Sequence, residues 1–445
     1  MTSRSPPDGG VLAIEPIVGP LDATVTVPGS KSLTNRALVC AALAEGTSLI
    51  EGALVADDTE AMAEALRRLG AGIEPVPGAP GAAGRLAVCG TGGALRPGPV
   101  SLDARSSGTT SRFLLPVLAL GEGRYRLDGA PSLRARPMEP ALAGIEALGA
   151  RVEAHDVPGH LPVTVVAPGG LAGGCLDVPG DVSSQYVSGL LLAAPYTRDG
   201  VRLRVTTPLV GRPFVDLTLA VMAAFGVDAD IAEDALTFAV PAGRYGATEY
   251  AVEPDASAAS YLLAAAAICG GRVTVPGLTD TRQGDARFAD LLGAMGARVE
   301  RSAAGTTVIG PDPAGHPAEL RGVGEVDMSA MPDMTQTLAV VAIFADRPTR
   351  IRGVGFIRGH ETDRIAAVVR ELRQCRIDAR EEPDGLVVHP GSPQPARIET
   401  YGDHRMAMSF ALVGLRAPGI EIADPGCVAK TFPGYWEALD RLRGG

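Results

Sequence analysis

Along this chain, runs of small apolar residues that open on a hydroxyl or carboxylate side chain alternate with amphipathic runs, and the alternation recurs six times. The first run starts at Ser32 (SLTNRALVCAALAEGTSLIEG) and the next at Ser107 (SGTTSRFLLPVLALGEGRYRLDG); the others start at Ser183, Asp255, Asp333 and Asp403. The starts lie 75, 76, 72, 78 and 70 residues apart, a spacing regular enough to mark an internal repeat. Each run predicts a helix, then a turn marked by Gly or Pro, then a strand. A second helix follows, as in EAMAEALRRLGAGIE and PALAGIEALGARVE. Its closing glycine, followed by alternating apolar residues, predicts helix, C-cap and strand. YWEALDRLRGG is a truncated last copy. The class predicted is α/β. Units of roughly 75 residues exceed the solenoid range, and three of them make an ordinary domain. Two similar domains of three units are therefore expected, with the active groups between them.

Charge narrows the ligands. With 40 Lys and Arg against 51 Asp and Glu, the net charge of −11 offers no overall field for nucleic acid or an anionic membrane, so an anionic ligand must find a local basic pocket. The most apolar window, around Ser260 to Ile268, is far too short to span a bilayer. The opening MTSRSPPDGG reads as a short disordered lead without secretory or transit character, and a cytoplasmic location is expected. Six scattered cysteines without paired spacing predict reduced thiols rather than a zinc site or disulfide framework.

The helix starts carry candidate chemistry. Ser and Asp there cap the backbone N–H groups of a first turn, and capping is their commonest use. Several starts hold more than a cap needs: Lys31, Ser32 and Arg36; Ser107, Thr109, Thr110 and Arg112; Ser183, Ser184 and Gln185; Asp403, His404 and Arg405. Cations at a helix N-terminus suit phosphate or carboxylate, so several converging ends predict a polyanionic substrate. PGSKS is no phosphate-binding loop, because Ser30 precedes Lys31 where that motif requires Gly. HETDR starts like a zinc-protease helix but puts Arg364 where the second His belongs, so no metal is expected. On spacing alone, Glu361 and Arg364 read as an i,i+3 surface pair.

Eight strings in order across nearly the whole chain resemble the enolpyruvyl transferases. They are PGSKSLTNRAL, SGTT, VSSQYVSGLL, DASAASYLLAAAAI, PDMTQT, HETDRI, YGDHRMAM and DPGCVAKTFPGYWEAL. The resemblance implies an inside-out α/β barrel fold of two domains, each holding three βαβαββ units, with the active site in the interdomain cleft. It places residues 1–29 and 253–445 in one domain and 30–252 in the other. The implied reaction moves the enolpyruvyl group of phosphoenolpyruvate to the 5-hydroxyl of shikimate-3-phosphate and releases phosphate. It implies small-molecule substrates only, no cofactor and no metal, no nucleic acid or membrane partner, and a monomer.

By the same resemblance Lys31, Ser32, Arg36, Ser183, Ser184, Gln185 and Asp333 hold shikimate-3-phosphate. Lys31, Gly108, Arg134, Arg364, Arg405 and Lys430 surround phosphoenolpyruvate. Asp333 is the candidate base for the acceptor hydroxyl and Glu361 the candidate acid at the enol methylene, with Lys31 and Lys430 as catalytic cations. Thr109, Arg212, His360 and His404 are further candidates. The chemistry needs this set: a base, an acid, and cations around two phosphates and two carboxylates.

Some positions depart from the family's commoner pattern. Arg105 and Ser106 replace Gly and Asn, Ser132 replaces an Arg whose work falls to Arg134, and His360 replaces Lys. Gly211 and Phe214 replace Ser and Tyr, and Arg212 is expected to supply the lost contact. These departures leave a different cyclitol phosphate as the alternative acceptor. The relative acting on UDP-N-acetylglucosamine uses a loop cysteine, which Gly129–Met138 lacks. A non-catalytic anion binder would not need Asp333 and Glu361 together.

Overall fold

The computed structural model describes residues 10–77, 84–311 and 320–443. Residues 1–9 of the expected disordered lead lie outside them. The chain divides into two compact units: a middle unit, Gly29–Val252, and an outer unit made of the residues up to Pro28 together with those from Glu253 onward.

Each unit is built around three of the six small-residue helices. In the middle unit these are α1 (Lys31–Leu43), α2 (Gly108–Ala119) and α3 (Ser184–Ala193). In the outer unit they are α4 (Ala256–Cys269), α5 (Thr335–Ala342) and α6 (His404–Gly414). Every residue of α2, α5 and α6 is buried, so these helices have no polar face and belong to the core. Small side chains let them approach closely. Gly189 of α3 lies against the Arg112 carbonyl of α2, where no Cβ would fit. Each unit has its own hydrophobic core, with Leu38, Phe113 and Leu190 in one and Leu262, Leu338 and Phe410 in the other.

The sheets follow one plan. Val100–Asp103 pairs in parallel with Glu122–Asp128, which pairs antiparallel with Val163–Pro168, and Arg151–Ala154 adds the far edge. With α2 and the helix Glu139–Ala147 between them, the order is βαβαββ. The register sets Leu102 beside Leu127 and Leu127 beside Val163, all buried, while Arg124 on the other face pairs with Glu153. Among the described residues there are six such sheets, five of four strands and one of three.

The chain's crossings close both units. Glu249–Ala251 supplies the parallel strand beside Thr47–Glu51, so the middle unit's last residues complete its first sheet. Leu21–Thr24 does the same for Gly271–Val275 in the outer unit, and Val11–Ile14 pairs antiparallel with Ile420–Ala423. Gly29, expected with the outer domain, falls in the middle unit. Its Cα lies against the Gly52 carbonyl, which leaves no room for a side chain. No helix among the described residues is long and apolar enough to cross a membrane.

Candidate functional site

Four of the six helix starts are capped by the residues the pattern singles out. The side chains of Ser107, Ser183, Asp255 and Asp403 accept from the backbone N–H groups of Thr110, Gln185, Ala258 and Arg405. The first unit differs by two residues: Ser30 caps α1, and Ser32 lies within its first turn. Asp333 is no cap. It sits in a single turn, Pro332–Met334, and its carboxylate is committed to two arginines.

In the middle unit the starts of α1, α2 and α3 carry a cationic group. The Lys31 ammonium lies 3.4 Å from the buried Asp58 carboxylate. Arg112 donates to Gln185 Oε1 at 2.8 Å and stacks on the Tyr186 ring, and Gln185 Nε2 donates to Thr109 Oγ1 at 3.2 Å. A Cβ built on Gly108 would lie 3.1 Å from an Arg136 guanidinium nitrogen and 3.3 Å from one of Arg112. Two guanidinium groups therefore flank the first residue of α2, where the helix dipole also favours an anion.

Several predicted residues sit elsewhere in this unit. Arg134 forms two hydrogen bonds to Asp128, at 2.8 and 2.9 Å, and is exposed. The buried arginine beside Gly108 is instead Arg136, two residues on, because Arg134 ends the one-turn helix Pro131–Arg134 on its outer side. Arg36 is enclosed at 2% exposure. It donates to Thr218 Oγ1, the Ser32 and Phe214 carbonyls and Ser188 Oγ, and lies over the Phe113 ring. These contacts tie α1 to its neighbouring helices, and burial lowers the Arg36 pKa to about 10. Arg212 pairs with Asp216 and lies over Phe238. Arg105, at a positive φ of 50°, reaches Asp57 and Glu60, and Ser132 is exposed. Gly211 is left-handed (φ 59°) next to Ser184, so the missing Ser side chain would also be strained there. Ser183 and Ser184 are both buried at the start of α3.

The outer unit gathers a different group. Arg364 Nη1 donates to Asp333 at 2.9 Å, its Nη2 to Glu361 at 2.8 Å and its Nε to Asp403 at 2.8 Å. Its Nη1 also lies 3.1 Å from His360 Nδ1. Arg405 donates to the other Asp333 oxygen at 2.6 Å, and Lys430 to the other Glu361 oxygen at 3.0 Å. His404 lies 3.6 Å from Asp403. The expectation of a surface Glu361–Arg364 pair is thus corrected. Arg364 is 2% exposed, and the pair is one link of a buried chain. Burial opposes the charge of Arg364 and of Arg405, but the surrounding carboxylates outweigh it and raise both above the ordinary arginine value.

Two members of this group carried no readable signal in sequence. Tyr261, on α4, lies 3.3 Å from Arg405, and burial pushes its phenol up to about 12. Asp285 is 4% exposed and takes a hydrogen bond from Ser257 on one oxygen. Burial, with Asp333 as a like charge, raises it to about 7. The QGD turn that delivers Asp285 has no helical or strand periodicity to mark it.

Comparison with known proteins gives the family. The family model described as EPSP synthase (3-phosphoshikimate 1-carboxyvinyltransferase) matches residues 16–439. A 3-phosphoshikimate 1-carboxyvinyltransferase from Nostoc punctiforme is 46% identical over 94% of this chain and 95% of its own. The chloroplastic enzyme of that name from Brassica napus is 41% identical over 95% of this chain and 83% of its own. The solved EPSP synthase from Acinetobacter baumannii is similar with a TM-score of 0.79 and 28% identity, covering 97% of this chain and 98% of that one. An enolpyruvyl transferase from Streptomyces tendae, 22% identical with a TM-score of 0.77, shares the fold. Strings spread over six repeats, a full-length match and a common fold agree that the chain belongs to the EPSP synthase (3-phosphoshikimate 1-carboxyvinyltransferase) family.

Proposed function

We propose that this chain transfers the enolpyruvyl group of phosphoenolpyruvate to the 5-hydroxyl of shikimate-3-phosphate and releases phosphate, as a cytoplasmic monomer. The observation that carries this reading, within the family, is the network in which the half-buried Asp333 and Glu361 share the buried Arg364 and are closed by Arg405 and Lys430. A candidate base and a candidate acid stand on one set of cations.

The reaction asks for these groups. Asp333 takes the proton of the acceptor hydroxyl as its oxygen bonds to C2 of phosphoenolpyruvate, and Glu361 delivers a proton to the methylene. Collapse of the tetrahedral intermediate breaks the bond from C2 to the phosphate-bearing oxygen and returns a methyl proton. Both carboxylates accept on both oxygens from Arg364, Arg405 and Lys430. A phosphate and carboxylate entering among those cations compete for the same N–H donors and free Asp333 and Glu361 to handle protons. In the middle unit Lys31, Arg112 and Arg136 are cations for the substrate anions. Ser32, Ser183, Ser184 and Gln185 offer hydroxyl and amide contacts to the acceptor, with Arg36 holding α1 behind them.

The test is phosphate release with both substrates against each alone, run in deuterated water. Expected are deuterium in the enolpyruvyl methylene of the product and the bridging oxygen of phosphoenolpyruvate in the released phosphate. A phosphorylated acceptor with pyruvate as coproduct would overturn the reading.

A further inference from the structure

Between the strand Ala396–Ile398 and α6 the chain makes a tight turn that delivers Asp403 to Arg364 and to the Arg405 backbone. Tyr401 and Gly402 are both left-handed there, at φ 56° and 66°. Glycine adopts that conformation freely, but a tyrosine is strained in it and stays only where its surroundings enforce it. The surroundings are a buried carboxylate that the proposed chemistry does not use. Glu371, 3% exposed, accepts the Tyr401 hydroxyl on Oε1 at 2.5 Å and the Glu399 backbone N–H on Oε2 at 3.0 Å. Arg370 covers the other side, with its guanidinium 5.7 Å from the Tyr401 ring centroid and one nitrogen 3.3 Å from the hydroxyl.

Glu371 and Arg364 stand seven residues apart on the helix Arg364–Gln374, about two turns and on one face. One rigid element therefore grips the turn twice, by Arg364 at Asp403 and by Glu371 at Glu399 and Tyr401. We infer that Tyr401 and Glu371 are a positioning pair: the phenol bound to a buried carboxylate holds the left-handed turn that aims Asp403, and through it Arg364 and Arg405, at the anionic substrate. The kinetic part rests on the proposed reaction, in which Arg364 and Arg405 take phosphoenolpyruvate. The geometric part does not.

The test uses the full chain carrying Tyr401→Ala, Tyr401→Gly, Tyr401→Phe or Glu371→Gln. Expected in Tyr401→Ala is a rise of about tenfold in KM for phosphoenolpyruvate, with KM for shikimate-3-phosphate within twofold. Tyr401→Gly should be milder than Tyr401→Ala, because glycine removes the strain along with the clamp, whereas a purely packing role predicts the reverse order. Hydrogen exchange of the Arg405 amide, which donates to Asp403, should accelerate in every variant while the amides in the middle of α6 do not change. Should Tyr401→Ala not fold, Tyr401→Phe and Glu371→Gln decide the outcome. The pair is overturned if both KM values rise together, if activity falls only with the folded fraction, or if Arg405 exchange is unchanged. An unaltered protein that releases no phosphate refutes the proposed reaction instead, and the exchange measurement still decides for or against the clamp.

Discussion

The middle and outer units share one architecture and differ in what their helix starts carry. In the middle unit Lys31 stands beside Asp58, Arg112 donates to a neutral amide, Gln185, and Arg112 and Arg136 flank Gly108. In the outer unit Arg364, Arg405 and Lys430 are woven into Asp333, Glu361 and Asp403, with Asp285 alongside. On the proposed reading the first arrangement binds and the second also handles protons. The same three-helix frame therefore serves two ends, and the difference lies in a few first-turn and loop residues.

The comparison is broken most easily at the carboxylates. Asp333→Asn and Glu361→Gln should each lower kcat by about 10²- to 10⁴-fold, the usual worth of a general acid or base, while KM moves little. Steady-state kinetics on folded protein checks this, and a loss confined to KM would make the outer network a binding site like the middle one.

A smaller effect separates two neighbouring arginines. Arg136→Ala should weaken anion binding by about 1.5 to 3 kcal/mol, as the loss of charge-assisted contacts does. Arg134→Ala, which breaks an exposed pair with Asp128, should cost under about 1 kcal/mol in affinity or stability. Equal losses would return Arg134 to the site.

The smallest effect tests the titrating character of the outer network. Asp285 sits near 7 when folded and at the ordinary 3.8 when unfolded. Between those values the unfolded chain has given up the proton that the folded one keeps, so its contribution to stability falls as pH rises. Asp285→Asn should remove that fall, gaining about 1 to 2 kcal/mol on the unaltered protein between pH 5 and 7 in denaturant melts. Parallel pH dependences would show that Asp285 does not hold its proton in the fold.

The repeat was legible because six buried helices need small apolar residues all round and six amphipathic ones do not, a contrast that periodicity reports directly. Four caps were legible for the same local reason. Side-chain direction was not. Whether Arg134 or Arg136 turns inward depends on where a one-turn helix ends, and no spacing shows that Arg36 donates to the Phe214 and Ser32 carbonyls. The Glu361–Arg364 spacing is the same on a surface as in a core. Only the packing of Asp403 and Lys430 against it decides which. Asp285 and Tyr261 come into play through tertiary proximity alone.

The pairing of Glu249–Ala251 with Thr47–Glu51 also bears on the order in which the chain folds. It brings the two ends of the middle unit together, with Gly29 against the Val252 side chain. The outer unit must join Leu21–Thr24 to Gly271–Val275 across the whole of that insertion. If the insertion has already folded, the flexible span left to close is about tenfold shorter, which cuts the closure entropy by about 2 kcal/mol. The middle unit thus acts as a splint for the outer one. Its own sheet needs no residue from outside Gly29–Val252, so during synthesis it can form as a unit while the rest of the outer unit is still being made.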